Sequence, residues 1–203
     1  MDRVVTINHA GTRETSRDRI TEAAADLFLR NGYAQTSLRD IAAAVGIKAG
    51  SIYYHFDSKE ALLIDILEQG LAVMDEAFDR AAGIARGADG AARVTAHIHG
   101  HMSALFEHGP YTTNHVSAFH IAPDSVKQAV IPARDRYEAR WVELFDGLVE
   151  DDQMSAQIDL RISRLVLFGA MNFAVAWFDP ARGNLDQLVD VIATQFWTGV
   201  SIR

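Results

Sequence analysis

Apolar residues recur with a helical period along most of the chain. Ile20, Ala23, Ala24, Leu27 and Phe28 fall at i, i+3, i+4, i+7 and i+8, one face of a helix. Thr15 with Asp18 has capping-box spacing before it, and Gly32 is placed to end it. Leu38, Ile41, Ala42 and Val45 line a second helix, opened by Ser37 with Asp40 and closed by Gly46. A third short helix is predicted over 49–55. Asp57 with Glu60 opens a fourth, in which Leu63, Ile66, Leu67, Leu71, Met74 and Phe78 hold one face until the Gly/Ala-rich stretch 83–90. Further helices are predicted near 91–107, 111–121, 124–149, 155–178 and 184–201. Pro132 should kink or split the third of these, Asp179-Pro180 should stop the fourth, and Asn184 with Gln187 can cap the last. No convincing strand or internal repeat is present. The expectation is an all-α chain of about nine helices, with a mobile tail over 1–14, a three-helix head over 15–60 and a helical body over 61–203.

Composition narrows the function. The chain has 203 residues, 49% of them hydrophobic, enough for a real core. It has no cysteine, which excludes disulfides, Cys-ligated zinc and thiol chemistry and fits a reducing cytoplasm. No segment reads as a signal peptide. The longest uncharged run, 165–178, includes Asn172 and is too short to cross a membrane, so no membrane partner is expected. Net charge is −8, but residues 1–60 carry eight Lys/Arg against eight Asp/Glu, so the whole excess lies in the remainder, eleven against nineteen. A neutral head on an acidic body suggests two modules with different partners.

The second helix, a Gly-containing turn and the short third helix make a helix-turn-helix, whose second helix enters the DNA major groove by its N-terminal residues. Here these are Lys48, Ala49, Gly50 and Ser51, small except for the lysine, so the backbone can come close to DNA. Lys48 can donate to guanine, and Ser51 can donate or accept. Ile52 and Phe56 face the other helices, leaving Tyr53, Tyr54 and His55 outward. Those three, with Lys59 and with Thr36 and Ser37 at a helix N-terminus, are suitable phosphate donors. Packed tyrosines with wet hydroxyls would be the plain alternative.

Residues 16–63 resemble the DNA-binding domain of the TetR family of bacterial transcriptional regulators, through AAADLFLRNGYAQTSLRDIAAAVGI, GSIYYHF and SKEALL. The resemblance implies a homodimer that reads a pseudo-palindromic operator. It also implies a C-terminal helical domain over 61–203 that dimerises and binds a small effector, which releases the DNA, as in a repressor. It places Lys48, Ala49, Ser51 and Tyr54 at base-edge positions, and Thr36, Ser37, Tyr53, His55 and Lys59 at phosphate positions. Position 48 is often Ser or Thr in the family, so Lys48 is a departure that can change base preference.

The run 165–178 has no polar face and needs cover on every side. The last helix carries a broad apolar stripe. A two-fold four-helix seam follows, with Leu165, Phe168, Met171, Val175, Leu188, Val191, Ile192, Gln195, Phe196 and Gly199 as candidate interface residues. Core burial within one chain is the alternative. A ligand cavity among the middle helices would draw on His101, Met102, Leu105, Phe106, Phe119, His120, Trp141, Phe145, Phe168, Met171 and Asn172, a lining suited to a large apolar effector. The string LFGAMNFAVAWFDPARG resembles a branch that includes regulators responding to acyl-CoA thioesters. Arg134, Arg136, Arg140 and Arg164 are candidates for its phosphates, or else form a solvated face paired with acids.

Six of eight histidines lie between 97 and 120: His97, His99, His101, His108, His115 and His120. His97 and His101 share a helix face, as zinc ligands can, yet they also fit an ordinary buried stripe, and no acidic ligand stands at a complementary spacing. A metal-sensing regulator and a metal-dependent hydrolase are the rival readings. The chain lacks GxSxG, HExxH and a glycine-rich phosphate loop, so neither a catalytic set nor a cofactor is expected.

Overall fold

Reciprocal caps open the first two helices. The Asp18 carboxylate accepts from the Thr15 N–H at 2.9 Å while the Thr15 hydroxyl accepts from the Asp18 N–H. Ser37 and Asp40 repeat the arrangement. The computed structural model describes residues 15–107 and 109–202, so the expected tail over 1–14 and His108 lie outside the described residues. In chain order come α1 (Ser16–Asn31), α2 (Leu38–Val45), a short 3-10 helix (Ala49–Tyr54), α3 (Lys59–Ile84), α4 (Gly90–Glu107), α5 (Pro110–Ser117), a 3-10 turn (Phe119–Ile121), α6 (Asp124–Glu150), α7 (Leu160–Phe173), a second 3-10 turn (Ala174–Ala176) and α8 (Leu185–Val200). The fold is all-α, and a single isolated bridge, Met154 to Ser201, is the extended pairing among the described residues.

Five features differ from the sequence pattern, one being that α7 ends at Phe173 and a 3-10 turn over Ala174–Ala176 follows, short of the expected 178. Ser58, not Asp57, caps α3, its hydroxyl accepting from the Ala61 N–H at 3.0 Å. The segment before α7 is not helical: the Ser155 N–H donates to the Val200 carbonyl, and Asp159 supplies the cap. The helix expected over 111–121 stops at Ser117 and gives way to the 3-10 turn. Pro132 does not split α6. It removes a hydrogen bond to the Gln128 carbonyl, but Gln128 and Pro132 are both exposed, so water can take that carbonyl. Burial of Val126, Val130, Tyr137 and Trp141 holds the two halves in line.

One apolar core runs through the molecule. In the head, Ile20, Ala24, Phe28, Ile41, Ile52 and Phe56 meet Leu62, Leu63 and Ile66 of α3. The same helix continues through Met74 and Phe78 into the body core of Ile98, Met102, Trp141 and Phe145. Its 26 residues span roughly 39 Å, so α3 belongs to both regions. At Gly70 the chain comes close to α5: a Cβ there would stand 2.7 Å from the Tyr111 carbonyl oxygen. Among the described residues no helix is long and apolar enough to cross a membrane.

Candidate DNA interface and effector cavity

Gly46, at φ 72°, ends α2 in the left-handed region, where glycine carries no Cβ penalty. The turn delivers the 3-10 helix over Ala49–Tyr54 with Ile52 fully buried and Phe56 4% exposed beneath it. Lys48, Gly50 and Ser51 are exposed and Ala49 is half-buried. Tyr54 is 88% exposed and Tyr53 59%, so both aromatic side chains stand outside the core. His55 is half-buried, its ring 5.1 Å from that of Tyr54. Arg17 braces this end: its guanidinium donates to the His55 carbonyl at 3.2 Å, pairs with Asp65 and lies over the Phe56 ring. Arg19 donates to the Val45 carbonyl at 3.0 Å.

Two expected phosphate donors are directed inward. The Thr36 hydroxyl is buried and donates to the Gly32 carbonyl at 2.9 Å, with Leu27 O at 3.3 Å. Lys59 Nζ donates to the carbonyls of Tyr33 at 2.8 Å and Thr36 at 2.9 Å, over the Tyr33 ring. Both therefore fasten the α1–α2 corner instead of facing DNA. Ser37 is exposed but its hydroxyl donates to Asp40 at 2.6 Å; that bond holds the Asp40 carboxyl below its usual range. Arg39, in the first turn of α2, is exposed and makes no bond among the described residues. Its place one residue beyond Leu38 in the capped turn was the signal that could have found it.

In the body, polar side chains converge where α4, α5, α6 and α7 meet. His101 Nε2 lies 2.9 Å from Asn172 Oδ1 and Nδ1 lies 2.8 Å from the Tyr137 hydroxyl. The amide oxygen only accepts, so Nε2 carries the proton and donates to it, and Nδ1 accepts from Tyr137. Burial keeps His101 neutral, its pKa pulled down to about 4, and raises that of Tyr137. The cavity beside this chain is lined by Leu71, His101, His115, Arg134, Tyr137, Glu138, Phe168 and Asn172 and leaves about 10 Å³ of room, of the order one water needs. Burial also pulls His115 down to about 3.

Of the expected pocket residues, His101, Phe168 and Asn172 line this cavity. Met102, Leu105, Trp141, Phe145 and Met171 are buried in the core, with Trp141 edge-on to both Phe145 and Phe168. Phe106 and Phe119 are half-buried, and His120 is exposed, so it lines no interior space. The sequence reading missed His115, Tyr137 and Glu138, whose inward direction depends on how α5 and α6 roll against α3. Of the four arginines, Arg140 pairs with Asp75 and Asp79, and Arg164 with Glu138. Arg134 lies 3.8 Å from Glu138, and Arg136 donates to its own helix at Pro132. A larger open cleft of about 520 Å³ lies near the far end of α3, between Phe78, Leu144, His97 and the Arg93–Asp151 pair. His97 donates through Nδ1 to the Arg93 carbonyl at 2.7 Å, and no three His, Asp or Glu side chains gather as a metal site among the described residues.

Residues 20–66 match the family model described as bacterial regulatory proteins, tetR family, and residues 87–200 match the one described as tetracyclin repressor-like, C-terminal domain. The chain belongs to the TetR family. The HTH-type transcriptional repressor KstR2 of Rhodococcus jostii (strain RHA1) is 31% identical over 189 residues, 89% of this chain and 86% of that protein. The crystal structure of PfmR, a TetR family transcriptional regulator from Thermus thermophilus, superposes with a TM-score of 0.77 at 24% identity, covering 89% of this chain and 98% of its own. AibR, solved in complex with isovaleryl coenzyme A and operator DNA, gives 0.77 at 21% identity over 88% and 96%. KstR2 is a transcriptional repressor and PfmR a transcriptional regulator.

On this TetR-family body, α7 and α8 leave an apolar face uncovered. Leu165 is 54% exposed, Val166 66%, Phe173 69% and Val191 47%. Gln195 and Gly199 are exposed there too, while Phe168, Val175, Leu188, Ile192 and Phe196 are half-buried. Met171 is fully buried within the chain and presents nothing to a partner.

Proposed function

We propose that this TetR-family chain is a homodimeric repressor. It reads a pseudo-palindromic operator through Lys48, Ala49, Gly50, Ser51, Tyr53 and Tyr54, with His55 and Arg39 toward phosphate, while Ser37 spends both its donors on Asp40. A largely apolar acyl effector, an acyl-CoA, releases it from the operator. It would act in the cytoplasm, on DNA. The carrying observation is a chain of contacts from cavity to head. His115 walls the cavity, and its neighbour Asn114, fully buried, donates to the Ala25 carbonyl of α1 at 2.7 Å. The repressor named among the relatives and the isovaleryl coenzyme A bound by AibR support the same reading.

The mechanism is a population shift. The closed cavity has no room for an acyl chain, so an effector must favour a form in which α4, α6 and α7 part. Movement of α5 would then displace α1 through Asn114, and α3 would swing with it. Operators fix the half-sites about 34–36 Å apart or at multiples of that, so a shift of a few ångströms costs affinity. The exposed faces of α7 and α8, packed against their copies, supply the dimer that sets this spacing.

The test is binding of the purified protein to its own upstream DNA against random DNA at two salt concentrations. Specific binding should exceed random binding by about 10³ or more and yield to acyl-CoA esters. Equal, salt-labile binding to both DNAs, unchanged by those esters, contradicts the reading.

A further inference from the structure

The cavity beside His101 has more hydrogen-bond donors than the protein uses. His115 is 6% exposed, yet its Nδ1 is buried with no partner, and its ring makes no hydrogen bond among the described residues. Arg134 is also largely buried. It stacks over Phe119 at 4.0 Å and reaches Glu138 only at 3.8 Å, beyond hydrogen-bond distance, and it donates no hydrogen bond among the described residues. Asn172 gives its amide oxygen to His101 and leaves its amide N–H groups unpaired among the described residues. Glu138, the one acid of the lining, is already held by Arg164.

An unpaired buried donor costs stability unless something accepts from it. His115 Nδ1 is such a buried group, and with the half-buried Arg134 and Asn172 it surrounds a space about the size of a single oxygen atom, bounded on its apolar sides by Leu71 and Phe168. Water can fill it, and a guanidinium holds a charged or strongly polarised oxygen more strongly than it holds water.

We infer that this cavity is the recognition point for an acyl carbonyl oxygen, which Arg134, His115 and Asn172 hold as three donors while Phe168 and Leu71 take the first carbons of the chain. The inference rests on the acyl-effector reading above and narrows it. The oxygen can belong to a thioester or to a free carboxylate, since both present the same acceptor. Neutral His115 donates one N–H, and the charged guanidinium compensates the partial charge of the oxygen. The occupied site completes the bonds that the empty one lacks, so the ligand prefers the form in which His115 reaches it, and His115 lies next to Asn114 on α5.

The experiment uses the full-length protein and isothermal titration. A set of straight and branched acyl-CoA esters identifies the tightest chain. That ester is then compared with its carbonyl-free S-alkyl-CoA thioether and with the corresponding free acid. The carbonyl site predicts that the thioether binds about tenfold to a hundredfold more weakly than the ester, the loss of one or two hydrogen bonds to a charged or buried donor. Binding of the free acid as tightly as the ester assigns the oxygen to a carboxylate source; weaker binding assigns it to a thioester. Two variants separate this role from a structural one. His115→Phe removes an unsatisfied polar group, so it should leave thermal stability unchanged or higher while weakening the ester and not the thioether. Arg134→Gln should do the same to binding. Equal affinity for ester and thioether, or equal loss of both in the variants, overturns the carbonyl site and leaves the acyl reading standing. Failure of every ester and acid to bind overturns both.

Discussion

Lys59→Met is expected to weaken the protein without weakening its grip on phosphate. The ammonium makes two hydrogen bonds, at 2.8 and 2.9 Å, to the carbonyls of Tyr33 and Thr36, residues that are 8% and 2% exposed. Hydrogen bonds to charged groups contribute about 1.5–3 kcal/mol each, and a cation–π contact at a partly exposed site about 0.5–1. The methionine stem keeps the packing but supplies no donor. Because Lys59 is half-buried and the two bonds share one cation, the sum is discounted to about 2–4 kcal/mol. Urea unfolding at fixed protein concentration measures it, since a dimer's stability depends on concentration. The operator-binding slope of log K against log salt should be unchanged in the folded variant. Lys48→Met should do the reverse, leaving the urea midpoint in place while changing operator affinity, because Lys48 is exposed and unpaired among the described residues. A Lys59→Met protein of normal stability whose salt slope drops by about one unit would refute the inward assignment.

Other substitutions test other links. Asn114→Ala removes bonds to Ala25 and Pro110, so it should cost about 1–3 kcal/mol and reduce the effect of effector on operator affinity; an unchanged effector response would separate α5 from the relay. Gly70→Ala sets a Cβ against the Tyr111 carbonyl and should destabilise the body by about 1–3 kcal/mol in the same urea assay. Val166→Asp, on the exposed face of α7, should convert dimers to monomers in sedimentation equilibrium. Acid stability follows the histidines. His101 and His115 have folded pKa values of about 4 and 3 against an ordinary 6.5, so the unfolded chain binds more protons between those limits. Stability therefore falls as pH drops from 6.5 towards 4, by up to about 2.7 kcal/mol per unit for two protons, and His115→Phe should remove about half of that slope.

The head was legible because its signals are local. A capping box, a left-handed glycine and a four-residue apolar spacing lie within one or two turns, and Thr15, Ser37 and Gly46 act where their spacing placed them. Thr36 and Lys59 were misassigned for the opposite reason. Their direction is set by carbonyls of the α1–α2 corner, up to 26 residues away in sequence, and polarity alone does not say which way a hydroxyl or ammonium turns. The cavity was less legible still. Trp141, Phe145 and Met171 fill the core and His101 is coupled to Tyr137 across 36 residues, so the lining depends on the roll of α4, α6 and α7 about their axes. Pro132 misled because a proline's penalty depends on whether the orphaned carbonyl meets water, which the sequence does not display.

The central claim is that effector and operator are energetically coupled through one protein. The most direct test measures operator affinity with and without saturating acyl-CoA, then acyl-CoA affinity with and without operator. The account predicts that each ligand weakens the other by the same factor, of the order of 5–150-fold, as linkage requires. An operator affinity that stays constant at saturating, demonstrably bound effector would contradict it.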